Sequence, residues 1–197
     1  PRTQVDLGIG SLIPVAYIPD DRRRMNVYRR LARAERVEEL EALVEDVQSA
    51  YGPCPVLLQY LIDLAMIRVL ARTLDQKIIA LQRTGKCGTY PSVLGHEVTG
   101  TALGQSLAAE DVFVPYYRDQ ATQLMRGVSI VNMLLYWGGD ERGSAYRAPE
   151  AAADWPICIP VASHAPHAAG VAWALQLERR LQGRGGRAAL CVLGDAA

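Results

Sequence analysis

Apolar positions in the first third of the chain recur every three or four residues, while later ones switch between that spacing and short continuous runs. MNVYRRLARA reads as a helix with Asp20 or Asp21 as its N-cap. ERVEELEALVEDVQSAYG sets Val37, Leu40, Val44 and Val47 on one helical stripe and ends at Gly52-Pro53. A third helix is predicted from near Pro55 to about Gln82, with Leu57, Leu61, Leu64 and Arg68 at helical spacing and Gly85 as its stop. Ahead of these, Val5 to Ile9 alternates weakly and predicts a short strand. Pro14 and Pro19 predict that SLIPVAYIPDD is extended and non-helical.

Beyond Gly85 the pattern changes. GTYPSVLGHEVTGTALGQSLA predicts a turn, then a helix of small residues suited to close packing. DVFVPYYRDQATQLMRG predicts a short buried strand, a turn at Pro115 and a helix from about Arg118, and NMLLYWGGDERGSAY a helix broken at Gly138-Gly139. WPICIPVASHAPHAAGVAWALQLERRLQG predicts a strand, a crossing loop and a long helix, and AALCVLGD a buried strand with a polar end. The fold class that follows is α/β: a mostly parallel sheet with flanking helices, preceded by a small, mainly helical module.

Composition narrows the function classes. Lysine plus arginine and aspartate plus glutamate balance at 21 each, and they also balance on either side of Arg72. No global field draws in nucleic acid or anionic lipid, so neither direct nucleic-acid binding nor membrane association is expected. No apolar run approaches the ~18 residues of a membrane span, and PRTQVDLG has neither region of a signal peptide. Cys54, Cys87, Cys158 and Cys191 are widely spaced with no Cys-x-x-Cys pair, which predicts reduced thiols in a cytoplasmic protein.

Two short motifs could carry chemistry. Gly194-Asp195 follows an apolar strand, where open α/β sheets bind ligands, and a carboxylate there suits magnesium beside a phosphate. The plainer reading is a strand-ending turn. Tyr116-Tyr117-Arg118 ends another short strand, and its guanidinium could grip a phosphate with two donors. The plainer reading there is a helix-start arginine paired with Asp119 or Glu110. His164 and His167, with Pro166 between them, read as loop and helix-start packing rather than zinc ligands, and His96 as a satisfied interior residue.

Taken in order, five blocks say more than any one. RTLDQKIIALQRTGKCGTYPSVLGHEVTGTALG, DVFVPYYRDQATQLMRGVS, LLYWGGDERGS, VASHAPHAAGVAWALQL and CVLGDAA follow one another. This succession resembles the alpha subunit of the decarboxylating component of pyruvate and branched-chain 2-oxo acid dehydrogenase complexes. The resemblance implies a thiamine-diphosphate-binding domain over residues 73–197. It implies that Tyr117 and Arg118 contact the cofactor, the arginine on its diphosphate, and that the Val161 backbone holds the aminopyrimidine. Ser163 and His164 fall where some members bind potassium. Gly194 and Asp195 open the cofactor motif, Asp195 binding magnesium, and Ala196 stands where the family has glycine. The rest of that motif lies beyond Ala197, so the domain is expected to be a truncated sheet, inactive alone, with an unpaired strand edge that favours self-association. The expected partner is the beta subunit, which in this family supplies the activating glutamate.

The opening is similar to another family. Ile-Pro-Asp before an arginine-rich helix, then an acidic helix ending in Tyr-Gly-Pro-Cys-Pro, resembles the C-terminal module of the bacterial transcription-repair coupling factor over residues 1–72. That resemblance implies a non-enzymatic interaction module whose partners are excision-repair proteins. The two meet within LIDLAMIRVLARTLD, where both families supply an amphipathic helix, so the chain reads as a chimera.

Overall fold

A computed structural model describes residues 12–183 and 186–194. The strand predicted at Val5–Ile9 lies outside them. The chain divides into two compact units, Pro1–Thr73 and Leu74–Ala197, and the division falls inside one long helix.

In the first unit, α1 (Asp21–Arg33) starts where the Asp20 side chain accepts from the Arg23 N–H at 2.7 Å, a side-chain cap on an otherwise orphaned donor. It buries Val27 and Leu31. In α2 (Val37–Tyr51) no side chain caps the start; Leu40, Leu43 and Val47 are buried and Gly52 ends the helix at φ 85°. The long helix α3 (Val56–Arg83) contributes Leu58, Ile62, Ala65 and Val69 to the same core. That is one residue along from the predicted stripe: Leu57 is 40% exposed, while Leu58 is 1% exposed. The helix is apolar on several adjacent rows, so spacing alone did not decide which row faces inward. Arg68 leaves the apolar row for another task. Its guanidinium donates to the Leu31 and Ala34 carbonyls at 3.0 and 2.7 Å, satisfying acceptors at the end of α1.

The stretch predicted to be extended is a turn instead. The Tyr17 and Ile18 N–H groups donate to the Pro14 carbonyl at 2.9 and 3.1 Å. Burial of Ile13 and Ile18 favours this compact form over an extended one.

In the second unit, the end of α3 is followed by α4 (Glu97–Ser106), β1 (Val112–Val114), α5 (Gln120–Met125), α6 (Ile130–Trp137), α7 (Ala165–Gln182) and β2 (Ala189–Cys191). Two 3-10 turns, Glu141–Ser144 and Pro149–Ala151, join α6 to the approach of α7. β1 and β2 pair in parallel, Val112 opposite Ala189 and Val114 opposite Cys191. Phe113 turns its backbone to the other side, where its N–H donates to the Asp154 carboxylate and its carbonyl accepts from the Trp155 N–H. β1 therefore runs between β2 and the segment 154–158. That segment was predicted as a strand, but among the described residues it makes one isolated bridge, Tyr116 to Cys158. Pro156 and Pro160 remove the donors a longer ladder needs.

The small-residue helix packs as predicted. A Cβ at Gly100 would lie 2.9 Å from the Ala121 Cβ, so glycine lets α4 close onto α5. Leu74, Ile78, Tyr90, Val128, Met133 and Trp137 form one apolar cluster, and Val112, Val114 and Ala168 a second beside the sheet. Among the described residues no helix is long and apolar enough to cross a membrane.

Candidate cofactor site at the strand ends

The carboxyl ends of β1, β2 and the 154–158 segment point the same way along the sheet, because the pairings are parallel. Pro115 ends β1 and leads into Tyr116, Tyr117 and Arg118. The helix predicted from Arg118 starts two residues later, at Gln120, because residues 117–119 turn the chain first. The Asp119 carboxylate accepts from the Tyr116 N–H at 2.9 Å, within this turn. Arg118 lies over the Tyr117 ring, 5.4 Å from its centre, a cation–π contact that holds the guanidinium against the strand end. Its Nε is buried and has no hydrogen-bond partner among the described residues. Neither Asp119 nor Glu110 pairs with it. A cationic group held this way, with an unsatisfied donor, fits an anionic ligand such as a diphosphate.

The loop before α7 follows the 154–158 segment at the same end of the sheet. It turns through Ala162 at φ 60°, a left-handed conformation that costs a non-glycine residue about 1–2 kcal/mol. Such strain gathers where the surrounding structure fixes a loop for a purpose. Val161, just before it, is half exposed. The Ser163 hydroxyl lies 2.8 Å from the Cys158 sulfur and 2.8 Å from the Pro160 carbonyl. His164 is 3% exposed, and its Nε2 lies 2.6 Å from the Val192 carbonyl, tying the start of α7 to the end of β2. Its Nδ1 has no partner among the described residues. His167 lies against Trp155 at 4.9 Å. Both histidines pack at the start of α7.

Beyond Val192 the chain exposes Leu193 and Gly194, and nothing lies within 4 Å of a Cβ placed on Gly194. Asp195 and Ala196 fall outside the described residues. His96 is a correction: it is exposed at the start of α4, and its Nδ1 lies 3.3 Å from the Tyr116 hydroxyl. The glycine turn at Gly95 carries it out of the interior.

Three features of the site had no sequence signal. Asp119 is buried, and desolvation pushes its carboxyl up to about 8, partly opposed by the Tyr116 N–H. Cys191 is raised as well, first by burial and then by the nearby Asp119. The third is the buried support beside β1. Arg126 binds both Asp154 carboxylate oxygens, at 2.7 and 2.9 Å, and donates to the carbonyls of Ala108, Asp111 and Glu150. Those two side chains are 2% and 3% exposed. Because Asp154 also accepts from the Phe113 N–H, this pair fixes β1 along the edge away from β2.

A parallel α/β unit with an arginine at its strand ends belongs to the class of α/β folds that bind ligands outside the carboxyl ends of their strands. The chain belongs to the dehydrogenase E1 component family, whose family model matches residues 65–197. A second family model, the TRCF domain, matches residues 7–93, and the two matches overlap over residues 65–93. Residues of the chain are 36% identical over 110 residues to the pyruvate dehydrogenase E1 component subunit alpha of Mycoplasma pneumoniae, covering 56% of this chain and 30% of that protein. The protein of the same description from Acholeplasma laidlawii is 35% identical, covering 56% and 32%, and that from Staphylococcus aureus 31%, covering 60% and 31%. The chain thus spans about a third of the length of these curated relatives.

Proposed function

We propose that residues 73–197 form the front part of the alpha subunit of a thiamine-diphosphate-dependent 2-oxo acid dehydrogenase, and that residues 1–72 form a separate helical module. The observation that carries this reading is Arg118, held against Tyr117 at the end of β1 with a buried, unpartnered Nε. Its guanidinium holds the diphosphate, and Tyr117 keeps it in place. The Val161 backbone, presented by the strained Ala162 turn, receives the aminopyrimidine. Gly194 lets the chain approach the phosphates closely, and Asp195 takes the magnesium ion. Ser163 and His164 stand where potassium is expected. The cofactor, when bound, supplies the carbon nucleophile and electron sink for decarboxylating a 2-oxo acid. A beta subunit completes the site, and these 197 residues alone are expected to turn over no substrate.

The test is calorimetric titration of thiamine diphosphate into the chain with magnesium present. Binding is expected, and Arg118→Ala weakens it about 10- to 100-fold, the worth of a charge-assisted hydrogen bond. No magnesium-dependent binding to the folded wild type would remove this reading. A second reading, favoured by the TRCF-domain match, is that the helical module is a protein-interaction surface for excision-repair proteins. Retention of such a protein by residues 1–72, undiminished when Arg118 is replaced, would support it.

A further inference from the structure

The outer faces of the first two helices carry opposite charge. On α1, Arg22, Arg29 and Arg33 lie on one exposed row, and among the described residues their side chains make no ion pair or hydrogen bond. The other exposed arginines nearby are engaged: Arg30 with Asp46 at 2.7 Å and Arg36 with Glu39 at 3.0 Å. On α2, Glu38, Glu41 and Glu45 form an exposed row of carboxylates that are likewise without partners among the described residues. Each row lies opposite the buried stripe of its own helix, Val27 and Leu31 in α1, and Leu40, Leu43 and Val47 in α2. Within one copy the two rows form no ion pair with each other among the described residues.

The rows match in spacing in part, the arginine row being the longer by four residues. Arg22 to Arg29 and Glu38 to Glu45 are each seven residues, a rise of about 10.5 Å in both helices. An open groove of about 510 Å³ runs between the helices, lined by Asn26, Arg29, Arg33 and Ala42 among others. Met25, 48% exposed, stands beside Arg22 and Arg29 as an apolar contact.

We propose that this face binds a second copy of the chain, α1 of each copy lying along α2 of the other. Such an interface is isologous, so the contact of an arginine row with a glutamate row occurs twice. Both rows are solvated and flexible, so charge pairing sets register and partner choice while contributing modest affinity. The dimer is therefore weak and depends strongly on salt.

Sedimentation velocity of the full chain tests this, with two triple variants. One is Arg22→Glu, Arg29→Glu, Arg33→Glu; the other is Glu38→Lys, Glu41→Lys, Glu45→Lys. All six side chains are exposed, and circular dichroism reports whether each variant keeps its helices. The wild type is expected to dimerise at low salt, with its dissociation constant rising about tenfold or more as salt shortens the screening length from ~30 to ~8 Å. Each variant alone is monomeric, because like rows face one another. An equal mixture of the two restores a dimer, since all facing rows are then opposite in charge. A wild type that is monomeric at every salt concentration overturns the proposal. So does a dimer that both variants leave intact, which would place the contact elsewhere. A monomer that instead retains a polyglutamate probe through Arg22, Arg29 and Arg33 assigns the row to another acidic partner and equally overturns it.

Discussion

Among the described residues the helical unit buries no charged side chain, whereas the α/β unit buries Asp75, Glu97, Asp111, Asp119 and Arg126. The first holds together by one apolar stripe per helix, and its ion pairs lie outside. Arg30 and Asp46, for example, are 42% and 61% exposed. The second places ionisable side chains inside, several of them held by fixed hydrogen-bond partners. Asp75 alone accepts from the Tyr90 hydroxyl, the Ser92 hydroxyl and the Val93 N–H, at 2.9, 2.9 and 2.7 Å. Removing such a group leaves several others stranded, while removing a surface pair leaves both partners in water. A fold that must hold loops in one arrangement around a site gains from interior polar groups, because only one geometry satisfies them.

This contrast can be broken at graded positions. The largest effect is expected at Arg126→Met, which strands the Asp154 carboxylate and three carbonyls and should cost about 3–5 kcal/mol in urea unfolding of the α/β unit. Asp75→Ala is next, about 2–3 kcal/mol by the same measurement, since three donors lose their acceptor.

Asp119 gives a pH-dependent effect. Its folded value of about 8 lies above that of an exposed carboxyl, so the native state holds an extra proton across the interval between them. The contribution of Asp119 to stability is therefore greatest at low pH and falls as pH rises through about 4 to 8, by up to about 1.4 kcal/mol per pH unit. Asp119→Asn keeps an acceptor for the Tyr116 N–H and should flatten that slope when unfolding is measured at pH 5, 6 and 7. The smallest effect is expected in the other unit: Arg30→Ala should change its stability by less than about 1 kcal/mol.

How much of this was legible in the sequence follows the same division. Helices that bury one stripe announce themselves by spacing, so α1 and α2 were readable, cap included. The row of α3 that turns inward was not, because Leu57 and Leu58 look alike until a neighbour chooses between them. In the α/β unit the strands at Val112–Val114 and Ala189–Cys191 showed as apolar runs, and Tyr117, Arg118 and Gly194 were visible as motifs at strand ends. Arg126 and Asp154 were not: one reads as a helix-end arginine, the other as a loop aspartate, and only the fold brings them together across 28 residues. The same holds for Ala162, whose backbone angle has no signature in its side chain. The 154–158 segment shows the reverse error, an apolar run taken for a strand although its prolines limit the ladder.

The most direct test of the two-unit account is hydrogen–deuterium exchange read by peptide in the wild type and in Arg126→Met. The account predicts slow exchange in the wild type at Leu40–Val47 and also at Val112–Val114 and Ala189–Cys191, with Arg126→Met losing protection at the two strands only. Fast exchange at those strands in the wild type would contradict it, as would loss of protection at Leu40–Val47 together with them.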